Sequence, residues 1–115
     1  MKTTSRFADI LRPMQDYGIF SRPDKVRGII SIRNLKTGRT LLEKTEDAVK
    51  AFRDERFRLD LGMHPEASLQ AEYASLGLEL FSIDLETEAD GDEDLDALLE
   101  RRKRAYREKG TDLYS

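Results

Sequence analysis

The sequence predicts an α/β (α+β) domain, a small three-stranded, mostly antiparallel sheet flanked by helices. Three observations predict it. Residues 26–44 read as a hairpin, two strand-like runs joined by the turn Asn34-Leu-Lys-Thr-Gly38. A third strand-like run comes only after two helical stretches. A long charged amphipathic helix follows it. A hairpin and a distant third strand, with helices between and after, imply a small sheet with helices packed on it.

The elements follow in order. Phe7, Ile10, Leu11 and Met14 have helical spacing from Ser5 to about Tyr17, with Pro13 expected to kink or break the helix. Residues 18–24, with Gly18 and Pro23, read as a loop, and 1–25 as an N-terminal helical extension. Its apolar side chains are expected to pack on the domain or on a partner. Ile29, Ile30 and Ile32 mark a strand near 27–33, and 39–43 its partner. Thr45 is the expected N-cap of a helix over 46–60 that ends at Gly62. Pro65 suits the first position of the next helix, 65–76, before Gly77. Residues 79–85 form the third strand and 86–94 an acidic loop. Leu95, Leu98, Leu99, Arg102 and Tyr106 give a helix over 93–108, with acids at its start and bases toward its end, as the macrodipole favours. Most of the core should come from Ile29 or Ile30, Leu41, Phe52, Leu59, Leu69, Phe81, Ile83, Leu95 and Leu99.

Composition excludes several chemistries. The 115 residues include no cysteine, so disulfides, thiolate zinc sites, iron–sulfur clusters and a cysteine nucleophile are absent. With the single histidine, His64, no all-histidine metal site fits in one subunit. No apolar run approaches the length of a membrane helix, and the N-terminus is too polar for a secretory signal, so a cytoplasmic protein with no membrane partner is expected. Charge is uneven: residues 1–50 carry 11 bases and 6 acids, whereas no Lys or Arg occurs between Leu59 and Glu100. A polyanion could approach only from the side away from that stretch.

The words along the chain resemble the GIY-YIG nuclease domain. Gly28-Ile-Ile-Ser-Ile-Arg-Asn34 is similar to the family's first strand, and Lys36-Thr-Gly-Arg39 to the turn before the second. Leu59-x-x-Gly62-x-His64, Leu69-Gln70 with Gly77, Phe81-x-Ile-x-Leu85 and Leu98-Leu99-Glu100 are similar to its later words. Residues 26–115 would then be a GIY-YIG-like domain. The resemblance implies hydrolysis of a DNA phosphodiester with one divalent metal, using two tyrosines, a helix arginine and a metal-binding glutamate.

Position by position, most of that set is missing. The tyrosines fall on Ile30 and Leu41, the arginine on Ala51, the glycine of the second name motif on Glu43 and a frequent histidine on Glu55. His64 and Glu100 match. Ile30 and Leu41 cannot accept a proton or orient water, and Ala51 removes a cation. Glu43 and Glu55 add negative charge where a phosphate would sit. No catalytic residues are therefore expected; Ile30, Leu41 and Ala51 are degenerate positions and His64 and Glu100 relics. The structural reading is favoured for both: His64 as a capping or turn residue before Pro65, and Glu100 as a solvated or salt-bridged neighbour of Arg104. Arg101-Arg102-Lys103-Arg104 spreads around the helix rather than forming one patch.

The functional expectation is an inactive nuclease-like domain that binds nucleic acid or a protein partner. Weak, non-specific DNA binding would use Arg33, Lys36, Arg39, Arg53, Arg56 and Arg58. No cofactor is expected. The alternative is an active endonuclease with a non-standard site, with Glu100 binding Mg2+ or Mn2+. A third possibility keeps the fold as a relic with a purely structural or interaction role.

Overall fold

The computed structural model of the chain describes residues 25–115. The expected helix near 5–17, the loop 18–24 and all but the last residue of the extension 1–25 lie outside the described residues. The described part contains β1 (Gly28–Asn34), β2 (Thr40–Thr45), α1 (Ala48–Leu61), α2 (Ala67–Leu76), a short 3-10 turn (Leu78–Leu80), β3 (Phe81–Glu88) and α3 (Leu95–Glu108). The expected fold class is the observed one. β1 is central and antiparallel to both neighbours, in the order β2-β1-β3.

Strand alternation divides the core. Ile29 and Leu42 pack with Leu95, Leu98 and Tyr106, so α3 covers that face. On the opposite face Ile32 and Leu41, cross-strand partners, pack with Leu59 of α1 and Leu69 and Tyr73 of α2. Ile30 packs there with Ala48 and, at its margin, Ala51, Phe52 and Leu85. β1 is thus apolar on both sides, which is why its isoleucines form a run rather than an alternation. Phe52, Phe81, Ile83 and Leu99 are only half-buried. Leu42, Tyr73 and Tyr114 are buried and were not among the expected core residues.

Several element starts differ from expectation, each for a local reason. The N-cap of α1 is Asp47, not Thr45: Thr45 still pairs with Gly28 in the ladder, and the Asp47 side chain accepts the Lys50 N–H. α2 begins at Ala67 rather than at Pro65. His64 to Glu66 form a separate turn in which the Glu66 N–H donates to His64 Nδ1 and the His64 N–H to Gln70 Oε1. β3 begins at Phe81, opposite Asn34, because β1 offers no ladder partner beyond that residue. α3 begins at Leu95, with the Asp94 carboxylate accepting from the Asp96 and Ala97 N–H groups.

The hairpin turn forms as the sequence expects. Asn34 Oδ1 accepts the backbone N–H of Lys36 and Thr37, and Gly38 takes φ +81°, a region that favours glycine. The Asn34 amide also donates to Glu72 Oε1 and to the Tyr114 hydroxyl. The Tyr114 hydroxyl donates to Glu72 Oε1 at 2.6 Å, and the Arg39 guanidinium, paired with Glu72 Oε2, lies 4.5 Å over the Tyr114 ring. This polar cluster ties the C-terminal residues to the hairpin. The Thr40–Leu113 bridge and the Tyr114 N–H donating to the Thr40 carbonyl complete the tie.

Candidate functional site

The sheet face covered by α1 and α2 carries the positions that the family resemblance singles out. Ile30 lies directly across the ladder from Glu43, and Ile32 across from Leu41. Ala51 and Glu55 are four residues apart on α1, so both face the same part of the sheet. Ile30, Glu43, Ala51 and Glu55 line one cleft of about 300 Å³. Leu41, Glu43 and His64 line a second of about 490 Å³ at the free edge of β2, walled by Leu99 and Lys103 of α3. Glu43 and Lys44 are common to both.

The first cleft is acidic. Glu46, Asp47 and Asp54 join Glu43 and Glu55, against Lys44, Lys50 and Arg58. Each of those bases is held by a carboxylate: Lys44 by Asp96, Lys50 by Asp54 and Arg58 by Glu55. Lys44 is thereby raised above its ordinary pKa, chiefly through the Asp96 hydrogen bond, and Asp54 is lowered chiefly through Lys50.

Glu55 is the unusual residue, a glutamate only 2% exposed in the interior of an α-helix. Its Oε2 accepts from Arg58 at 2.8 Å and lies 3.2 Å from His64 Nε2. Its Oε1, also buried, has no hydrogen-bond partner among the described residues, and neither has His64 Nε2. Carboxylate oxygens of Glu43 and Glu55 and a ring nitrogen of His64 lie within 4.8 Å of one another. The His64 side chain is fully buried, and its turn is fastened to α1 and α2 by Gln70, whose amide donates to the Leu59 carbonyl.

The other site residues lie elsewhere. Glu100 is exposed on α3. The inward face of that helix consists of Leu95, Leu98, Arg102 and Tyr106, so Glu100 points away from it. α3 also covers the sheet face opposite Glu43 and Glu55. Glu100 lines neither of the two clefts described above, although Leu99 and Lys103 of the same helix wall the second. Arg102 instead forms a forked pair with Glu86, at 2.7–3.1 Å. Burial works to raise the Glu86 pKa, but the Arg102 and Thr87 hydrogen bonds outweigh it and hold the carboxyl low.

The six bases considered for nucleic acid are divided. Arg33 alternates with Ile32 and so belongs to the α3 face of β1, whereas Arg53, Arg56 and Arg58 ride on α1 over the other face. Arg39 is bound to Glu72 and Asp112, Arg56 to Asp60 and Arg58 to Glu55. Arg33, Lys36 and Arg53 are exposed.

Two solved structures resemble this chain. The catalytic domain of the homing endonuclease I-TevI is similar at a TM-score of 0.60 and 23% identity, over 71% of this chain and 86% of that one. A mutant of the catalytic domain of the same intron endonuclease is similar at 0.58 and 22%, over 72% and 82%. The fold is that of a GIY-YIG catalytic domain. At these identities the likeness establishes the GIY-YIG fold alone. No protein-family model matches the chain, and comparison with curated proteins gave no match.

The sequence pointed to Glu43 and Glu55 one at a time, as charges replacing a glycine and a histidine of the GIY-YIG pattern. Their approach to each other and to His64 needs the β1–β2 register and the packing of α1. The Asn34–Arg39–Glu72–Tyr114 cluster had no such signal, because its members are separated by up to 80 residues.

Proposed function

We propose that this chain is a GIY-YIG-fold domain that does not cut DNA and serves as a binding module for a protein partner. The observation that supports this most is the lining of the cleft. Aliphatic side chains stand at 30, 41 and 51, and the carboxylates of Glu43 and Glu55 project into the same region. Phosphodiester hydrolysis needs an activated water and a cation on the phosphoryl oxygens. Ile30 and Leu41 activate no water, and Ala51 supplies no cation to the phosphoryl oxygens.

A protein partner is favoured over nucleic acid by two features. Three of the six candidate bases are already neutralised by carboxylates, and the six are split between the two sheet faces. Along the outer side of α1 and just beyond it, Phe57 (64%), Leu61 (54%) and Met63 (68%) are exposed, a row suited to an apolar docking contact. Among the described residues no helix is long and apolar enough to cross a membrane.

The test is incubation of the full chain with plasmid and single-stranded DNA in Mg2+ or Mn2+, alongside DNA titration at about 20 and 150 mM salt, where screening differs strongly. No nicking is expected, and any association should vanish at the higher salt. Metal-dependent nicking would overturn the reading. The second reading, an active nuclease with a non-standard site, draws on the approach of Glu43, Glu55 and His64. It requires nicking that Glu55→Gln abolishes.

A further inference from the structure

We propose that Glu43 and Glu55 form a binding site for a divalent metal cation, with His64 and Arg58 as the groups that position Glu55. The site is separate from the Glu100 position that the family resemblance marks, and it does not depend on whether the domain cuts DNA. Two carboxylates whose oxygens approach within 4.8 Å repel each other unless a cation or a proton lies between them. A six-coordinate cation with oxygen ligands at about 2.1 Å places neighbouring ligands about 3 Å apart and opposite ones about 4 Å apart. The observed separation admits an ion after only a small inward movement.

The second observation is the buried, unpartnered Oε1 of Glu55. A buried carboxylate oxygen without a donor is costly, and the one side-chain donor that reaches Glu55 among the described residues, Arg58, goes to its neighbour Oε2. Arg58 donates to Oε2 at 2.8 Å, and His64 Nε2 lies 3.2 Å from it. The tautomer of His64 follows from its other nitrogen. Nδ1 accepts the Glu66 N–H at 3.0 Å, so the neutral ring carries its proton on Nε2, facing the carboxylate. His64 thus turns an N–H and not a lone pair toward Glu55, 3.2 Å from Oε2 but without a hydrogen bond to it, so it bounds the carboxylate by packing and is not a ligand. Lys44 and Lys50, the other bases of the cleft, are bound to Asp96 and Asp54. The open positions of an ion held by two carboxylates would be filled by water from the cleft. That ligand set, all oxygen, selects a hard divalent ion such as Mg2+, Ca2+ or Mn2+.

Mn2+ is the probe, because its paramagnetism broadens nearby amide resonances. In the full chain, substoichiometric Mn2+ should broaden the amides of Ile30, Glu43, Ala51 and Glu55 first, and Ca2+ or Mg2+ in excess should reverse it. Glu43→Gln, at a half-buried position, should weaken Mn2+ binding at least tenfold, and the thermal midpoint of the wild type, but not of this variant, should rise with added Mn2+. Should the variant not fold, the wild-type broadening pattern alone decides. No broadening, broadening centred on the acidic loop 89–94 with the cleft unaffected, or unchanged affinity in a folded Glu43→Gln protein would each overturn the site. A proton shared by the two carboxylates would leave the midpoint unmoved by all three ions and would also overturn it.

Discussion

Leu69 is fully buried between α2 and the sheet, among Ile32, Leu41, Leu59 and Tyr73. Truncating it removes apolar area and leaves a cavity, so Leu69→Ala should destabilise the domain by about 2–5 kcal/mol, measured by chemical denaturation. Glu72 governs the response to acid. The Tyr114 hydroxyl, followed by Asn34 and Arg39, holds its carboxyl below the ordinary range against the opposing effect of burial. A depressed carboxyl contributes stability that is present above the unfolded-state pKa and lost as pH falls through the folded-state value. The thermal midpoint should therefore decline as pH drops below about 4.5, the ordinary glutamate range, and Glu72→Gln should flatten that decline. Tyr114 works at the other end. Burial, with help from Glu72, raises its hydroxyl to about 12. A raised group is stabilising below its unfolded value, near 10, and that contribution is lost between about pH 10 and 12. Tyr114→Phe should lessen this alkaline loss, read by the same thermal scan. An unchanged pH profile in either variant would remove the cluster from the account of stability.

Helix ends and strand junctions carry the next level of specification. Asp94 caps α3 by accepting two backbone N–H groups that the helix itself leaves free. Asp94→Ala should cost about 1 kcal/mol, the usual loss for such a cap, with faster amide exchange confined to the first turn of α3. Gly28 opens β1 where the register with β3 shifts between Ile29 and Ile30. A Cβ built there would come within 2.1 Å of the Thr87 carbonyl oxygen. Gly28→Ala should accordingly separate β1 from the end of β3 and destabilise by about 1–3 kcal/mol, as overpacking does. Loss of the exchange protection of the Ala89 amide, which donates to the Arg27 carbonyl, would mark the site of damage. Arg27 closes the same corner from outside, pairing with Glu46 and donating to the carbonyls of Asp90, Gly91 and Glu93. The acidic loop is therefore held against the start of β1 by one basic side chain.

Over the whole molecule, charge decides which partners can approach. The cleft on the α1 face is acidic, and the carboxylates of α1 and α2 neutralise the nearest arginines. Among the described residues, Lys36 at the hairpin tip and Arg53 on α1 are exposed bases, whereas Arg39, Arg56 and Arg58 are paired with carboxylates. Replacing Arg53 and Arg56 with Glu is expected to remove whatever DNA association occurs at about 50 mM salt. It should leave binding of a protein partner through Phe57 and Leu61 detectable in pull-down at physiological salt. Equal loss of both would show that one surface serves both ligands.

The sequence by itself determined the element order from β1 onward, the hairpin, the sheet of three strands and the closing helix. These are written in local terms: a run of isoleucines, an Asn-to-Gly turn, helical spacing of leucines, and glycines after helices. It also determined that aliphatic side chains stand at 30, 41 and 51, since residue type alone settles that. It misjudged the starts of α1, α2, β3 and α3, where side chains such as His64, Thr45 and Asp94 make bonds that compete with the simplest cap. Only the tertiary structure decided which charges meet. Strand register set Glu43 beside Ile30, and packing of α1 on that face brought Glu55 to it. The turn after Gly62 then directed a buried histidine at the same carboxylate. The same packing paired Arg39, Arg56 and Arg58 with acids distant or near in sequence, and turned Glu100 to solvent on the far side of the sheet. Electrostatic interactions act through space over a few ångströms, so their outcome depends on folded distances that no spacing along the chain contains.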